Sequence, residues 1–272
     1  MSKARIRSVV FAALLLGLSG FARGQCSRPI RVPVAPIGQA VMIVDGKVGG
    51  IYPELLQAEA NKAHCTIDFQ VVPRARQEML FETGQADLLM PARRSARRDS
   101  YGAFVSMVRS RAMLLSMNSR KPPAASLAEI LAHSELRVGV VRGYDYDAPY
   151  QSVVKQLLEQ NRLTEASDPT SLARMLQAGI VDVAIVTPLA VTGALRDDPK
   201  LSPLIEQIRA EPASELMWGE SGAYVTRSNS LDDADRERVT ALLDHIGRTG
   251  AVWRAFQRYY PERDLSDSVR PR

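Results

Sequence analysis

Short apolar runs alternate along this chain with longer stretches whose apolar residues recur at helical spacing. Ile30–Val34 is the first run. A loop containing Asp45-Gly46 follows, and then Ile51, Leu55, Leu56, Ala60 and Ala63 share one face at a period of 3.6. Pro53 suits a helix starting at about Tyr52, because the first helical amides have no intrahelical acceptor. The cycle then repeats. Residues 66–72 read as a strand, Pro73 opens a helix with Met79 and Leu80 on its apolar side, Gly84 closes it, and 87–90 is the next strand. Such alternation predicts an α/β fold with largely parallel sheets. Pro33 fits poorly in a central strand, since it removes a ladder donor.

The second half carries the same order. Residues 136–141 read as a strand, 150–160 as a helix, 171–178 as a second helix closed by Gly179, and 182–186 as a strand. Gly84-Gln-Ala-Asp87 and Gly179-Ile-Val-Asp182 are one device used twice: a left-handed glycine cap, a two-residue turn and a buried strand. Its recurrence about 95 residues apart predicts two similar lobes, with the polar, proline-rich segment 118–126 between them.

Composition agrees with two lobes, since 272 residues suffice for two ordinary domains. Hydrophobic residues at 46% and charged residues at 24% exclude a disordered chain, a collagen and a polytopic membrane protein. The net charge of +5 suggests an anionic partner until it is mapped. Lys3, Arg5, Arg7 and Arg23 lie in the first 24 residues, which hold no acid, and the remainder carries 31 basic against 30 acidic residues. Those 24 residues read as an export signal: a basic start, the apolar stretch 9–18, and Ala22 and Gly24 placed for cleavage before Gln25. A retained anchor is the alternative, although ten apolar residues fall short of the roughly 20 that span hydrocarbon. Gln25 is not the small residue that lipoprotein processing at Cys26 would need. Export lets a cysteine pair close. Cys26 precedes Ile30–Val34 and Cys65 precedes 66–72, so the sulfurs meet if those strands are parallel neighbours; two unpaired thiols are the alternative.

The pieces and their order resemble a known family. They are Asp45-Gly46-Lys47 with Gly50-Ile51 and Glu54-Leu55, then Gly84-x-x-Asp87, then Ser95-Ala-Arg-Arg98 with Phe104-Val-Ser106. Ser126-Leu-Ala, Val138-Gly-Val, the turn at Gly143 and Gly179-x-x-Asp182 follow, and the last is Arg248-Thr-Gly250-Ala-Val-Trp253-Arg-Ala-Phe256-x-x-Tyr259-Tyr260. Together they resemble the periplasmic solute-binding proteins of the polar amino acid type, family 3, which feed ABC importers. The resemblance implies a two-lobe periplasmic-binding-protein fold (type II, Venus-flytrap) with two crossing hinge strands. Lobe 1 would comprise residues 25–112 and 218–272, lobe 2 residues 113–217, and residues 1–24 the signal peptide. The crossings would fall near 108–112 and 218–222, with the C-terminal helices returning to lobe 1.

Open parallel sheets offer ligands the carboxyl ends of their strands. That places candidate contacts at Ile37 and Gly38, at Met90, Pro91 and Ala92, at Gly143 and Tyr144, and at Thr187. The resemblance singles out Arg98, the arginine of a Thr-x-x-Arg element, as a two-pronged clamp for a ligand carboxylate, with Ser95 heading the element and Arg94 beside it. The competing reading is a solvated surface cluster: Arg93, Arg94, Arg97 and Arg98 crowd together, and only six of the 35 basic residues are lysines. Arg93, off the motif, is expected to be solvated. Two departures bear on the ligand. Thr187 stands where amino-acid binders carry an acid, which favours a carboxylate-bearing solute with no obligatory α-amino group. The loop 35–38 lacks a stacking aromatic; Tyr144, Tyr146 and Trp218 could supply one, or serve as packing and hinge residues.

Other chemistry finds little support. His64, His133 and His245 form no His-Glu-x-x-His, there is no Cys-x-x-Cys, and neither a metal nor a cofactor is expected. Ser221 lacks the full Gly-x-Ser-x-Gly elbow, no phosphate loop occurs, and the near-neutral mature chain does not suggest nucleic acid. The expectation is a monomeric, non-enzymatic periplasmic binding protein that hands a small solute to a membrane ABC permease. A sensory or accessory protein for a membrane receptor or redox partner is the alternative. A periplasmic dehydratase-like enzyme on the same scaffold, with Asp145 or Asp147 as its acid or base, is the second. Mass measurement of the exported protein should show a chain starting at Gln25 with two thiols that appear only after reduction; native thiols would exclude the disulfide.

Overall fold

The computed structural model describes residues 25–118, 123–196 and 198–272; the expected signal segment and part of the connector after Asn118 lie outside the described residues. Two separate sheet systems organise these residues. In the first, Ile30–Val34 pairs in parallel with Ile67–Val71, Ile30 opposite Ile67. Beside this pair runs a four-stranded sheet in the order Val269–Pro271, Gly102–Ser110, Gly219–Thr226 and Leu88–Arg93. The Asp87 amide reaches the Arg31 carbonyl at 2.9 Å and seats Leu88–Arg93 against Ile30–Val34. The core here joins Ile30, Val32 and Val34 to the helix Ile51–Lys62 and to the C-terminal helices Asp233–Arg248 and Ala251–Tyr259. Those C-terminal helices thus return to the first body, as the resemblance implied.

The second sheet runs Ile208–Glu211, Met113–Met117, Val183–Val186, Val138–Val141 and Leu163–Ala166. Its alternate side chains feed two different cores. Val183 and Ile185 meet Tyr150, Val153 and Leu157 of the helix Ala148–Glu159. Ala184 and Val186 meet Leu172 and Leu176 of Pro169–Ala178 and Val191 and Leu195 of Pro188–Arg196. Burial on both faces explains the unbroken apolar run of this strand. The chain leaves the first sheet after Ser110 and enters the second at Met113; it returns between Glu211 and Gly219. Gly219–Thr226 pairs along its length with Gly102–Ser110, so the return link lies before it rather than at 218–222. Trp218 ends that link, and the guanidinium groups of Arg111 and Arg270 lie over its ring, 4.9 and 4.3 Å from the centroid. It packs at the link and stays off the cavity lining, so it does not supply the stacking surface considered for it.

The repeated Gly-x-x-Asp device has the same chemistry in both bodies. Gly84 and Gly179 adopt left-handed φ values of 70° and 67°. Asp87 accepts the Arg31 amide at 2.8 Å and Asp182 the Arg137 amide at 2.9 Å. Each arginine also pairs with its aspartate and reaches back to the glycine carbonyl. The aspartate thus ties the start of its own strand to the start of its parallel neighbour.

Pro33, out of place in the sequence pattern, has an explanation in Gln77. The Ile30 amide bonds the Thr66 carbonyl while the Arg31 amide faces Asp87, so by alternation the Pro33 nitrogen faces the Leu88–Arg93 side. There Gln77, fully buried, donates to the carbonyls of Pro33 at 2.8 Å and Met90 at 3.1 Å and bridges the two strands in place of a ladder bond. Asp45-Gly46, expected only as a loop, closes a hairpin between Met42–Val44 and Lys47–Gly49 with positive φ at both residues. Leu88–Arg93 extends beyond the expected 87–90, through a cis Met90–Pro91 peptide. A disulfide joins Cys26 and Cys65, Cα atoms 4.8 Å apart, just ahead of the paired strands.

Asp87 is fully buried and holds two arginines that are about one-third exposed. Asp87→Ala should cost roughly 2–4 kcal/mol in urea unfolding, because it leaves a buried amide and two cations without their acceptor. Asp182→Ala should cost less, since Arg137 is half exposed and can rehydrate; equal losses would contradict this account.

Candidate functional site

A cavity of about 110 Å3 lies between the two bodies, walled by the ends of Ile30–Val34 and Leu88–Arg93 on one side and of Val138–Val141 and Val183–Val186 on the other. This volume is small beside the roughly 300–1,000 Å3 of drug-sized sites. Of the ligand contacts expected from sequence, Ile37, Pro91, Ala92, Arg98, Tyr144 and Thr187 line it, as do Arg93, Asp145, Tyr146 and Ser221, which the sequence raised in other roles. The remaining expected contacts do not. Met90 is buried in the first core, and Ser95 caps the short helix Ala96–Asp99 by accepting the Arg98 amide. Arg94 is exposed, pairing with Asp99 and Glu220. Gly38 and Gly143 stand behind the walls, each pressed against backbone of the opposite body.

Arg98 is 1% exposed, and its guanidinium is committed within the protein. Its Nε and Nη2 donate to the two Glu78 carboxylate oxygens at 3.0 and 2.7 Å, and its Nη1 to the Arg93 carbonyl at 2.8 Å. The fork expected to clamp a ligand carboxylate therefore grips a carboxylate of the chain itself. Burial opposes charge on Arg98, but Glu78 outweighs burial and raises the pKa. Glu78 also accepts from Arg74 at 2.6 Å and from the half-exposed Arg97 at 3.3 Å. Burial alone would raise the Glu78 carboxyl; Arg74, Arg98 and Arg97 together hold it below the ordinary glutamate range.

Arg74 brings charge to the cavity wall. It opens the helix Arg74–Glu82 directly behind Ile67–Val71, and its Nη1 donates to Gln77 and the Pro91 carbonyl. Burial pushes its pKa down, with Glu78 opposing. Its Nε is buried and has no hydrogen-bond partner. The same holds for the Tyr144 hydroxyl and for Asp145 Oδ2, both also on the lining. The Asp145 side chain is 9% exposed; Oδ1 accepts from Gln151 at 2.8 Å, while Oδ2 lies 3.8 Å from Arg97 Nε, too far for a hydrogen bond. Burial raises the Tyr144 hydroxyl well above the ordinary phenol value, so it stays protonated. The cavity thus presents a cationic donor, a hydroxyl and an anionic acceptor, each buried.

Arg93 corrects the expectation of a solvated residue. It is 8% exposed and donates to the carbonyls of Ser110 at 2.6 Å and Met217 at 2.7 Å, on both sides of the crossing. It also reaches Asp147 of the second body at 3.3 Å and lies 5.6 Å from the Tyr146 ring. Thr187 donates its amide to the Tyr146 hydroxyl at 2.9 Å. Sequence reasoning passed over Arg74 and Glu78 and considered Asp145 only as an enzyme acid. Arg74 was findable, since it follows Pro73 at a strand's carboxyl end, and Glu78 stands four residues on, the helical pairing distance. Among the described residues no group of three or more His, Cys, Asp or Glu side chains is placed to hold a metal ion.

No protein-family model matches the sequence, and no curated protein matches it. Solved structures do. A histidine kinase sensor domain with similarity to periplasmic binding proteins matches with a TM-score of 0.69 at 18% identity, over 86% of this chain and 96% of that one. An amino acid ABC transporter substrate-binding protein from Streptococcus pneumoniae, bound to L-arginine, matches with a TM-score of 0.66 at 17% identity, over 87% and 94%. A putative L-cystine ABC transporter protein from Listeria monocytogenes gives 0.67 at 15%, over 87% and 97%. At such identities the likeness shows the fold, which is the two-lobe α/β architecture of periplasmic binding proteins.

The Glu78 cluster has a pH signature. A carboxyl with a depressed folded pKa adds stability above its unfolded value, near 4.5, and that stability is lost as pH falls through the folded pKa. Urea unfolding at pH 7 and pH 3 should therefore show a smaller acid loss for Glu78→Gln than for the parent. At pH 7 the variant should be less stable by about 3–5 kcal/mol, because buried Arg74 and Arg98 lose their counter-charge. An unchanged acid limb would remove Glu78 from the centre of the site.

Proposed function

We propose that this protein is an exported, non-catalytic solute-binding protein that closes two lobes, 25–112 with 218–272 and 113–217, on a small carboxylate-bearing solute and hands it to an ABC importer. The observation that carries this reading is the trio of buried polar atoms without hydrogen-bond partners around one small interlobe cavity. Each such atom costs free energy, and a solute supplying the matching groups recovers it. Arg74 Nε–H suits a carboxylate, with the Tyr144 hydroxyl beside it. Asp145 adds the acceptor that Thr187 does not, so a solute bearing a donor as well as a carboxylate suits the cleft better than a bare acid. Arg98 acts in this reading through Glu78, holding Arg74 in place. The solute site then draws on Ile37, Pro91, Ala92, Tyr144 and Thr187 for its walls. The export signal supports a periplasmic location, and the likeness to arginine- and cystine-related transport proteins supports import.

The likeness to a kinase sensor domain favours a second reading, in which the same closed cleft is presented to a membrane receptor. The solute would be the same and the partner different.

A thermal-shift comparison of L-arginine, L-glutamate, succinate, putrescine and glucose on the mature protein tests the chemistry. A bound member at 100 times its dissociation constant adds about 2.7 kcal/mol. Stabilisation should follow the carboxylate, and Asp145→Asn should weaken donor-bearing hits by roughly 10- to 100-fold, the value of a hydrogen bond to a charged group. Stabilisation by putrescine or glucose alone would overturn the carboxylate reading.

A further inference from the structure

Two glycine contacts flank the cavity, and in both the opposite bodies meet backbone to backbone. Gly143, on the second body, lies so near the helix start of the first that a Cβ would sit 2.9 Å from the Ala75 nitrogen and 3.0 Å from its Cα. On the other flank Gly193 faces Gly38. A Cβ on Gly193 would stand 2.9 Å from the Gln39 nitrogen and 3.1 Å from the Gly38 Cα, and would collide with the Tyr260 hydroxyl. A Cβ on Gly38 would stand 2.8 Å from the Leu189 carbonyl oxygen. Hydrogen bonds reinforce this seam: Gln39 Nε2 donates to the Gly193 carbonyl at 3.4 Å, and the Tyr260 hydroxyl donates to the Leu189 carbonyl at 3.2 Å.

The two glycines differ in what they reveal. Gly143 has φ +81°, a conformation that itself favours glycine. Gly193 lies inside the helix Pro188–Arg196, with no left-handed φ. There glycine is less favourable than alanine, and helix geometry gives no reason for it. Its neighbours in that contact are Gly38, Gln39 and Tyr260 of the other body, so the absence of a side chain serves the approach between bodies and not the packing within one.

We propose that Gly193, seated on Gly38, is the stop that sets how far the two lobes close, and that a methyl group there holds the cleft open. This rests on the two-lobe binding reading above. The contact lies beyond the polar trio, between backbones, so it fixes the closed separation without reading the solute.

The pair Arg196 and Asp264, 3.1 Å apart across the same interface, gives a readout of closure. Both are replaced by cysteine in the full-length mature protein, and the rate of cross-linking by a short bis-maleimide is followed with and without Gly193→Ala. The rate reports even a minor closed population. The expected result is at least a tenfold slower cross-link in Gly193→Ala, with helix content no lower than in the parent, since alanine favours the helix. Equal rates overturn the stop. A fall in helix content also overturns it, by showing that Gly193 serves packing within its own lobe. A parent that never cross-links would instead refute the closing of two lobes on which the proposal rests.

Discussion

Glu78 carries 6% of its side chain exposed in the midst of three guanidinium groups, and much of the cleft's first wall is arranged around its two oxygens. One oxygen serves Arg74 and Arg98, the other Arg98 and Arg97. A carboxylate so buried is tolerable only with its counter-charges in place, and each arginine is in turn tolerable only with the carboxylate. The result is mutual: the helix Arg74–Glu82 is locked to the short helix Ala96–Asp99, and Arg74 is set at the cavity with one N–H to spare. In the proposed function, selectivity for an anion would come from a cation that is already half-neutralised. Such a group can hold a solute carboxylate without the full desolvation cost of an isolated buried charge.

Much of this was legible in the sequence wherever local chemistry decided the outcome. The paired Gly-x-x-Asp segments announced two related bodies because a left-handed cap and a buried acid at the head of a strand are local requirements, and Asp87 and Asp182 make the same bonds. The cysteines were legible because both stand at one end of parallel neighbours. Ser95-Ala-Arg-Arg98 was read as a ligand clamp, whereas Ser95 caps the short helix Ala96–Asp99 and stands off the cavity lining. What Arg98 does was not legible, because its partner Glu78 comes from another helix and the choice between a ligand carboxylate and an internal one is tertiary. Arg93 was misread for the same reason: in sequence it is one more arginine in a crowded run, and only the folded crossing supplies the carbonyls of Ser110 and Met217 that bury it. Pro33 resisted explanation until Gln77, 44 residues away, was seen to bridge the strands beside it.

The two bodies share a device at the heads of their strands but differ at the tails, where the cavity lies. Arginine dominates the first body's contribution, through Arg74, Arg93 and Arg98, whereas the second contributes Asp145, Tyr146 and Thr187. Arg93 with Asp147 and Arg97 with Asp145 set opposite charges across the gap, so the lobes attract one another at the mouth. Salt weakens such attraction when the mouth is open and wet, and less so once it is shut.

The ring of Trp218, in contact with Arg111 and Arg270, has a consequence for light rather than for binding. Only two tryptophans occur in the chain, and the other, Trp253, rests against the first core on the helix Ala251–Tyr259. Trp218 closes the link between sheets and its carbonyl is held by Arg109, so a change in the crossing would alter the position of its indole relative to the two guanidinium groups. An indole's emission colour depends on the electric field along its ring. The link between the sheets therefore carries its own optical gauge, with Trp253 as a steady background.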